Sequence, residues 1–170
     1  MTAAHLDRYP DPSSDVYRLA VGRLATGVTI VTSRHGELDH AMTANALASV
    51  SLEPLLVLVC VEREARFHDA IVESGVWGVS ILPSTARATA DWLATRGRPL
   101  HGQLDRIPTH RGLTDVALLD ESLSTLECET TDAYAGGDHT IVVGRVLAVE
   151  ISDRPGDALV YYRGRYDSLA

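Results

Sequence analysis

Apolar and polar residues change their spacing several times along this chain, and the changes mark its elements. Val16, Leu19, Ala20 and Leu24 recur at helical spacing behind Ser13, Ser14 and Asp15, any of which can cap a helix, and Gly27 closes the segment. Residues 28–32 then alternate β-branched side chains and read as a strand, with His35-Gly36 as a turn. Residues 40–51 read as a second strand rich in small side chains. Within it, Met42 to Ala46 form a small-residue turn that carries hydroxyl and amide groups but no ordinary catalytic acid or base. The continuous apolar run over residues 55–61 predicts a strand buried on both faces.

Further on, residues 65–74 predict a short helix stopped by Gly75, and residues 77–82 a strand. Residues 84–95 predict a helix with Ser84 as its cap and Ala88, Trp92 and Leu93 on its apolar side. Residues 96–113 are rich in Gly, Pro, His and Arg and lack periodicity, which predicts a loop of functional length. Strands over residues 123–131, 140–151 and 158–162 complete the set. Helices and strands do not alternate in βαβ fashion, and no G-x-G-x-x-G follows a strand, which argues against a dinucleotide-binding doubly wound sheet. The fold expected is mainly β with peripheral helices, an antiparallel barrel in one domain over residues 14–170. A flexible N-terminal arm, residues 1–13, precedes it, marked by Pro10 and Pro12.

The formal net charge of −8 argues against nucleic acid and anionic membranes as partners, because both need a basic face. All 15 basic residues are Arg, which removes Schiff-base chemistry and a phosphate-loop lysine together. Cys60 and Cys128 are isolated, as expected in a reducing cytoplasm. The first residues lack the apolar stretch of a secretion signal, and the run over residues 55–61 is too short to span a bilayer. His35 and His40 flank a turn, and His101 and His110 lie in the long loop. None has metal-ligand spacing, so no metal site is expected. A G-x-S-x-G elbow is absent, which argues against a serine hydrolase. Trp77 and Trp92 read as core or rim packing, and the two cysteines read as packing too.

The stretch from Arg18 to Arg63, RLAVGRLATGVTIVTSRHGELDHAMTANALASVSLEPLLVLVCVER, is followed downstream by Gly137-Asp138-His139. Together they resemble the flavin reductase family with the FMN-binding split-barrel fold, over residues 14–168. The resemblance implies an antiparallel split β-barrel, a homodimer with flavin near the subunit interface, and NAD(P)H:flavin oxidoreductase activity. In such enzymes hydride passes from nicotinamide to FAD or FMN, and a separate flavin-dependent monooxygenase uses the reduced flavin. NADH is the expected donor. NADPH is the alternative, with Arg96, Arg98 and Arg106 as the cations available to its additional phosphate.

The family match places Thr43, Ala44, Asn45 and Ala46, then Ser49, Val50 and Ser51, against the flavin, with Cys60 and Glu62 on the following strand. Arg66 and Phe67 fall at the phosphate corner. There Glu64 and Phe67 stand where the family often carries Ser and Thr, which implies weaker phosphate binding unless Arg63 or Arg66 compensates. His139 is the catalytic candidate, beside the nicotinamide, with Asp138 fixing its tautomer or capping the loop. Arg163 and Tyr166 are implied near the nicotinamide or its ribose, and Ser80 stands where the family commonly has Asn. Without the resemblance, the polar turn reads as side chains bonding their own backbone and His139 as a loop histidine. A same-fold enzyme that keeps its flavin for another substrate, and a non-catalytic flavin- or heme-binding barrel, are the alternative functions.

Overall fold

The computed structural model describes residues 11–153 and 156–169. The N-terminal arm expected over residues 1–13 lies outside the described residues as far as residue 10. The first helix, α1 (Ser14–Val21), is capped by Ser13, whose hydroxyl accepts from the Val16 N–H at 3.3 Å. It ends at Gly22, earlier than expected: the next N–H groups, of Arg23 and Leu24, leave the helical pattern and bond three residues back, to the Ala20 and Val21 carbonyls at 3.1 and 2.9 Å. Thr26 and Gly27 are thereby free to form the short strand β1 (Thr26–Gly27).

Then come β2 (Thr29–His35), β3 (Leu38–Ala44), β4 (Leu47–Leu52) and β5 (Leu55–Glu62). The single strand expected over residues 40–51 is thus two, broken at Asn45-Ala46, and the small-residue turn shrinks to those two positions. Next are α2 (Phe67–Ser74), stopped by Gly75 as predicted, β6 (Val76–Ile81) and α3 (Arg87–Ala94). Ser84 does not cap α3. It opens a 3-10 turn, Ser84–Ala86, and its N–H donates to the Asp157 carbonyl at 2.7 Å. The chain closes with β7 (Thr109–Arg111), β8 (Ala117–Leu119), β9 (Ser124–Gly136), β10 (His139–Ile151), β11 (Leu159–Tyr162) and β12 (Arg165–Ser168).

One antiparallel sheet carries the order β3-β2-β6-β9-β10-β5-β4. Its two edge strands, β3 and β4, are consecutive in the chain with only Asn45 and Ala46 between them. The sheet must therefore curl until its edges meet at that link, which makes it a barrel split along β3 and β4. Smaller sheets, β1-β11-β12 and β7-β8, pack outside. Among the described residues, no helix is long and apolar enough to cross a membrane.

Inside the barrel, Val31, Val57, Val59, Val61, Trp77, Val79, Cys128 and Val142 meet Phe67 and Ile71 of α2. Each such large side chain contributes about 1.5–3 kcal/mol on burial. Gly144 leaves room for the indole, since a Cβ there would lie 2.5 Å from the Trp77 ring. A second cluster, with Val28, Ile30, Ala41, Leu82, Ala90, Leu93, Leu119 and Leu159, fills the space between the barrel's outer face and α3. β5 is not buried on both faces as its sequence implied. Val57, Val59 and Val61 are buried, while Leu56, Leu58 and Cys60 on the other face are only partly covered. β9 also runs well past residue 131, because Asp132 to Ala135 pair in register with residues 140–143 of β10, beyond a register shift that falls at Thr131.

Candidate active-site cleft

A cleft of about 540 Å³ opens where the barrel is split. Its walls are the free edge of β3 with the Asn45-Ala46 link, the end of β5, the residues leading into α2, and the segment after α3. Thr43, Ala44, Asn45, Ala46, Cys60, Glu62, Arg66, Phe67 and His139 all line it.

The β9–β10 hairpin positions His139. Its turn is Gly137-Asp138, with Gly137 at φ +69°, a conformation that glycine adopts without strain. His139 opens β10 and pairs in register with Glu62 of β5. The Asp138 carbonyl accepts from the Arg63 N–H at 2.9 Å, which ties the turn to the end of β5. The Asp138 carboxylate lies 2.7 Å from His139 Nδ1. That hydrogen bond, with the charge interaction behind it, holds Asp138 below the usual carboxylate range. A carboxylate on Nδ1 directs the ring's Nε2 away from the turn.

Opposite, β3 presents a bare edge. The Asp39 and Ala41 carbonyls point away from β2 and are taken by Gln103 Nε2, at 2.9 Å, and by Arg98. Strand alternation turns the peptide groups of Thr43 toward the same open edge. The Thr43 hydroxyl itself donates to the Ala90 carbonyl of α3 at 2.7 Å, and Asn45 Nδ2 donates to Thr26 Oγ1 at 3.3 Å. Side chains of the polar turn thus brace the edge, leaving its backbone to face the cleft.

The segment after α3 is folded over this edge by long-range hydrogen bonds. Arg98 also donates to the Thr95 carbonyl at 2.9 Å and to Gln103 Oε1 at 3.3 Å. Arg66 donates to the Arg98 carbonyl, and Trp92 Nε1 to that of Gln103. Arg96 reaches both oxygens of Glu62, at 2.9 and 2.6 Å, linking the segment to β5. His40 lines the cleft as well, buried on β3. Sequence patterns single out neither His40 nor Gln103 as part of a site, and the only signal for Arg96 and Arg98 is an arginine-rich loop.

Other candidate residues lie elsewhere. Ser49, Val50 and Ser51 are on β4, beyond the cleft wall, where a register irregularity falls between Ser49 and Ser51. Ser51 Oγ accepts from the Glu53 N–H at 3.2 Å. Arg163 sits in the β11–β12 turn, its guanidinium 5.1 Å from the Tyr162 ring centre. Tyr166 packs edge-on to Tyr161 at 5.6 Å between ring centres. Arg106 lines a separate, smaller pocket. Trp77 is core and Trp92 is rim, as expected. Cys128 is buried, and burial followed by the Glu127 charge pushes its thiol up to about 12, an inert group. Cys60 is half-buried and faces the cleft, in addition to its place in the strand.

The model of the flavin reductase like domain matches residues 21–170. The chain belongs to that family. Within it, the chain is 36% identical over 171 residues to the NADH-dependent FMN reductase AsuE2 of Streptomyces nodosus subsp. asukaensis, covering 99% of this chain and 92% of the relative. It is 37% identical over 155 residues to the reductase component of 4-hydroxyphenylacetate 3-monooxygenase from Thermus thermophilus, covering 91% and 96%. Among solved structures, the flavin reductase component of a bacterial two-component tryptophan halogenase, BorF, superposes with a TM-score of 0.86 at 44% identity. That match covers 92% of this chain and 98% of BorF. The split barrel is therefore the family's architecture.

Proposed function

We propose that this chain is an NADH-dependent flavin reductase that reduces FAD or FMN and passes the reduced flavin to a separate flavin-dependent monooxygenase. The observation that carries the reading is the cleft at the barrel split. A histidine anchored by Asp138 stands on one wall, and an open peptide edge at Thr43 to Ala46 forms the other. The names of relatives support it: AsuE2 is an NADH-dependent FMN reductase, and BorF serves a two-component system.

The residues present fit a flavin. Peptide groups at Thr43 and along the Asn45-Ala46 link offer alternating donors and acceptors to the polar edge of a flat ring. His40 lines the same cleft with no hydrogen bond among the described residues and its nitrogens open to solvent, so they are available to a ligand. When bound, the flavin supplies the redox chemistry by accepting hydride from NADH. The protein's task is position and electrostatics. The β3 edge fixes the ring in its plane. His139 orients the nicotinamide carboxamide or steadies charge through Nε2, while Asp138 holds its ring. The segment around Arg96 to Gln103 covers the cleft and excludes water. Ser49, Val50, Ser51, Arg163 and Tyr166, outside the cleft wall, meet the ligands only at its periphery or from a second subunit.

A homodimer is part of the proposal. α1 buries none of its residues, and Val16, Tyr17, Leu19 and Leu24 are exposed, as are Leu52 and Ile151. Apolar surface of that kind fits an interface. Sedimentation of the purified protein tests it, and a monomer at working concentration would refute it. Residues 14–170 are taken as the domain, and two free cysteines without a disulfide support a cytoplasmic setting. The activity is tested by following NADH oxidation with and without added FAD, FMN or riboflavin. Saturable turnover that needs flavin is expected. Flavin binding with no turnover would refute the reading.

A further inference from the structure

Two histidines line the cleft, and the function proposed above uses only His139. His40 lies on β3, opposite Ser33 of β2, with 9% of its surface exposed. Its ring carries a hydrogen-bonding nitrogen on each side yet has no hydrogen-bond partner among the described residues. Neither nitrogen is sealed from solvent, so the ring's free hydrogen-bonding capacity opens onto the cleft that it lines.

Arg66 and Arg98 line the same cleft. Each spends hydrogen bonds on uncharged oxygens: Arg66 on the Arg98 carbonyl, Arg98 on the Ala41 and Thr95 carbonyls and the Gln103 side chain. Among the described residues neither has a carboxylate at ion-pair distance, whereas Arg96 is paired with Glu62. The two cations also oppose each other, since burial and then Arg66 depress Arg98. Two unneutralised guanidinium groups beside an unpartnered imidazole form a subsite that an anion completes.

We propose that His40 is a ligand-contact residue: with Arg66 and Arg98 it receives the phosphate of the flavin nucleotide, taking up a proton as the phosphate binds. This rests on the flavin-reductase reading of the cleft.

The charged groups around His40 set the sign. Burial first, then His35 and Arg66, hold its pKa below the ordinary histidine value, against Asp39, which raises it. The Asp39 carboxylate is itself held by Arg111, at 2.7 and 2.6 Å, and Glu64 shares the cleft. Without ligand the ring is neutral near neutral pH. A phosphate beside it raises its pKa, so phosphate binding strengthens as pH falls through the window between the bound and the free value.

The test compares FMN with riboflavin, which lacks the phosphate, by flavin fluorescence across pH in wild type and His40→Gln. The expected result is an FMN-to-riboflavin affinity ratio about tenfold lower in the variant, as for loss of one charge-assisted hydrogen bond. The pH slope of that ratio should be reduced in the variant and riboflavin affinity kept. An unchanged ratio and slope, or equal losses for both flavins, would overturn the proposal. The His40 ring resonance in the wild-type protein gives a second readout that needs no variant to fold. Inorganic pyrophosphate should raise its titration midpoint, and an unmoved resonance counts against the subsite. Should no flavin bind but pyrophosphate shift His40, the functional reading fails and the anion site stands.

Discussion

The two walls of the cleft hold their histidines in opposite ways. His139 is at the tip of a hairpin, its side chain 41% exposed and one nitrogen tied to the adjacent Asp138 at 2.7 Å. His40 is in mid-strand, 9% exposed where β3 lines the cleft, with neither nitrogen bonded among the described residues. The first is anchored yet accessible, as suits a group that meets an incoming and departing nicotinamide. The second is held in a strand with its nitrogens open to the cleft, as suits a subsite built before its ligand arrives. Charge differs between the walls as well: His139 holds the Asp138 carboxylate below its usual range, whereas burial first, then His35 and Arg66, depress His40.

The largest effect should come from removing the accessible histidine. His139→Ala is expected to lower kcat about 100-fold, in the range for loss of one preorganised polar group, with a much smaller change in flavin affinity. Steady-state NADH oxidation alongside fluorescence titration measures both, and equal kcat in the two proteins would remove His139 from the reaction. Asp138→Asn should cost less, about tenfold in kcat, because the ring keeps a neighbour but loses the charge that orients it. The pH profile sharpens this case. Asp138 is held below the usual carboxylate range, so its support of His139 is complete above that range and is lost as pH falls through the lowered value. Wild type should therefore lose activity on that acid limb, whereas Asp138→Asn should lack it.

The same contrast explains what could be read from the chain. Gly137-Asp138-His139 forms its site by local geometry, a glycine-led turn and a carboxylate one residue away, and so is visible in three letters. Ser13 as a cap and Gly75 as a stop are local in the same sense. His40 gains its meaning only when β3 becomes a sheet edge and Arg66 and Arg98 arrive from separate parts of the chain. β7, β8 and β12 were equally silent, being three- or four-residue strands that exist because a partner is present. The extension of β9 beyond residue 131 has the same cause, since Asp132 to Ala135 have no apolar alternation and are held by pairing with β10. The split barrel was legible through family resemblance. Its physical reason, two edge strands joined at Asn45-Ala46, needed the sheet order.

The smallest effect expected tests whether the His40 wall is tuned for weak holding. Glu64 lines that cleft beside Arg66, where it adds negative charge to a corner otherwise suited to an anion. An exposed like charge near a phosphate costs about 1 kcal/mol, which is about fivefold in affinity. Glu64→Ser should therefore tighten FMN by about that factor and leave riboflavin unchanged, the opposite direction from His40→Gln. Tighter holding carries a consequence for a reductase that must release its product. If reduced flavin leaves for a partner monooxygenase, the tighter variant should deliver it more slowly while reducing it at the same rate. Measured together, stopped-flow reduction and flavin release separate these steps. A variant that binds FMN and riboflavin with unchanged ratio would show that Glu64 does not face the phosphate, and that loose binding, where found, has another source.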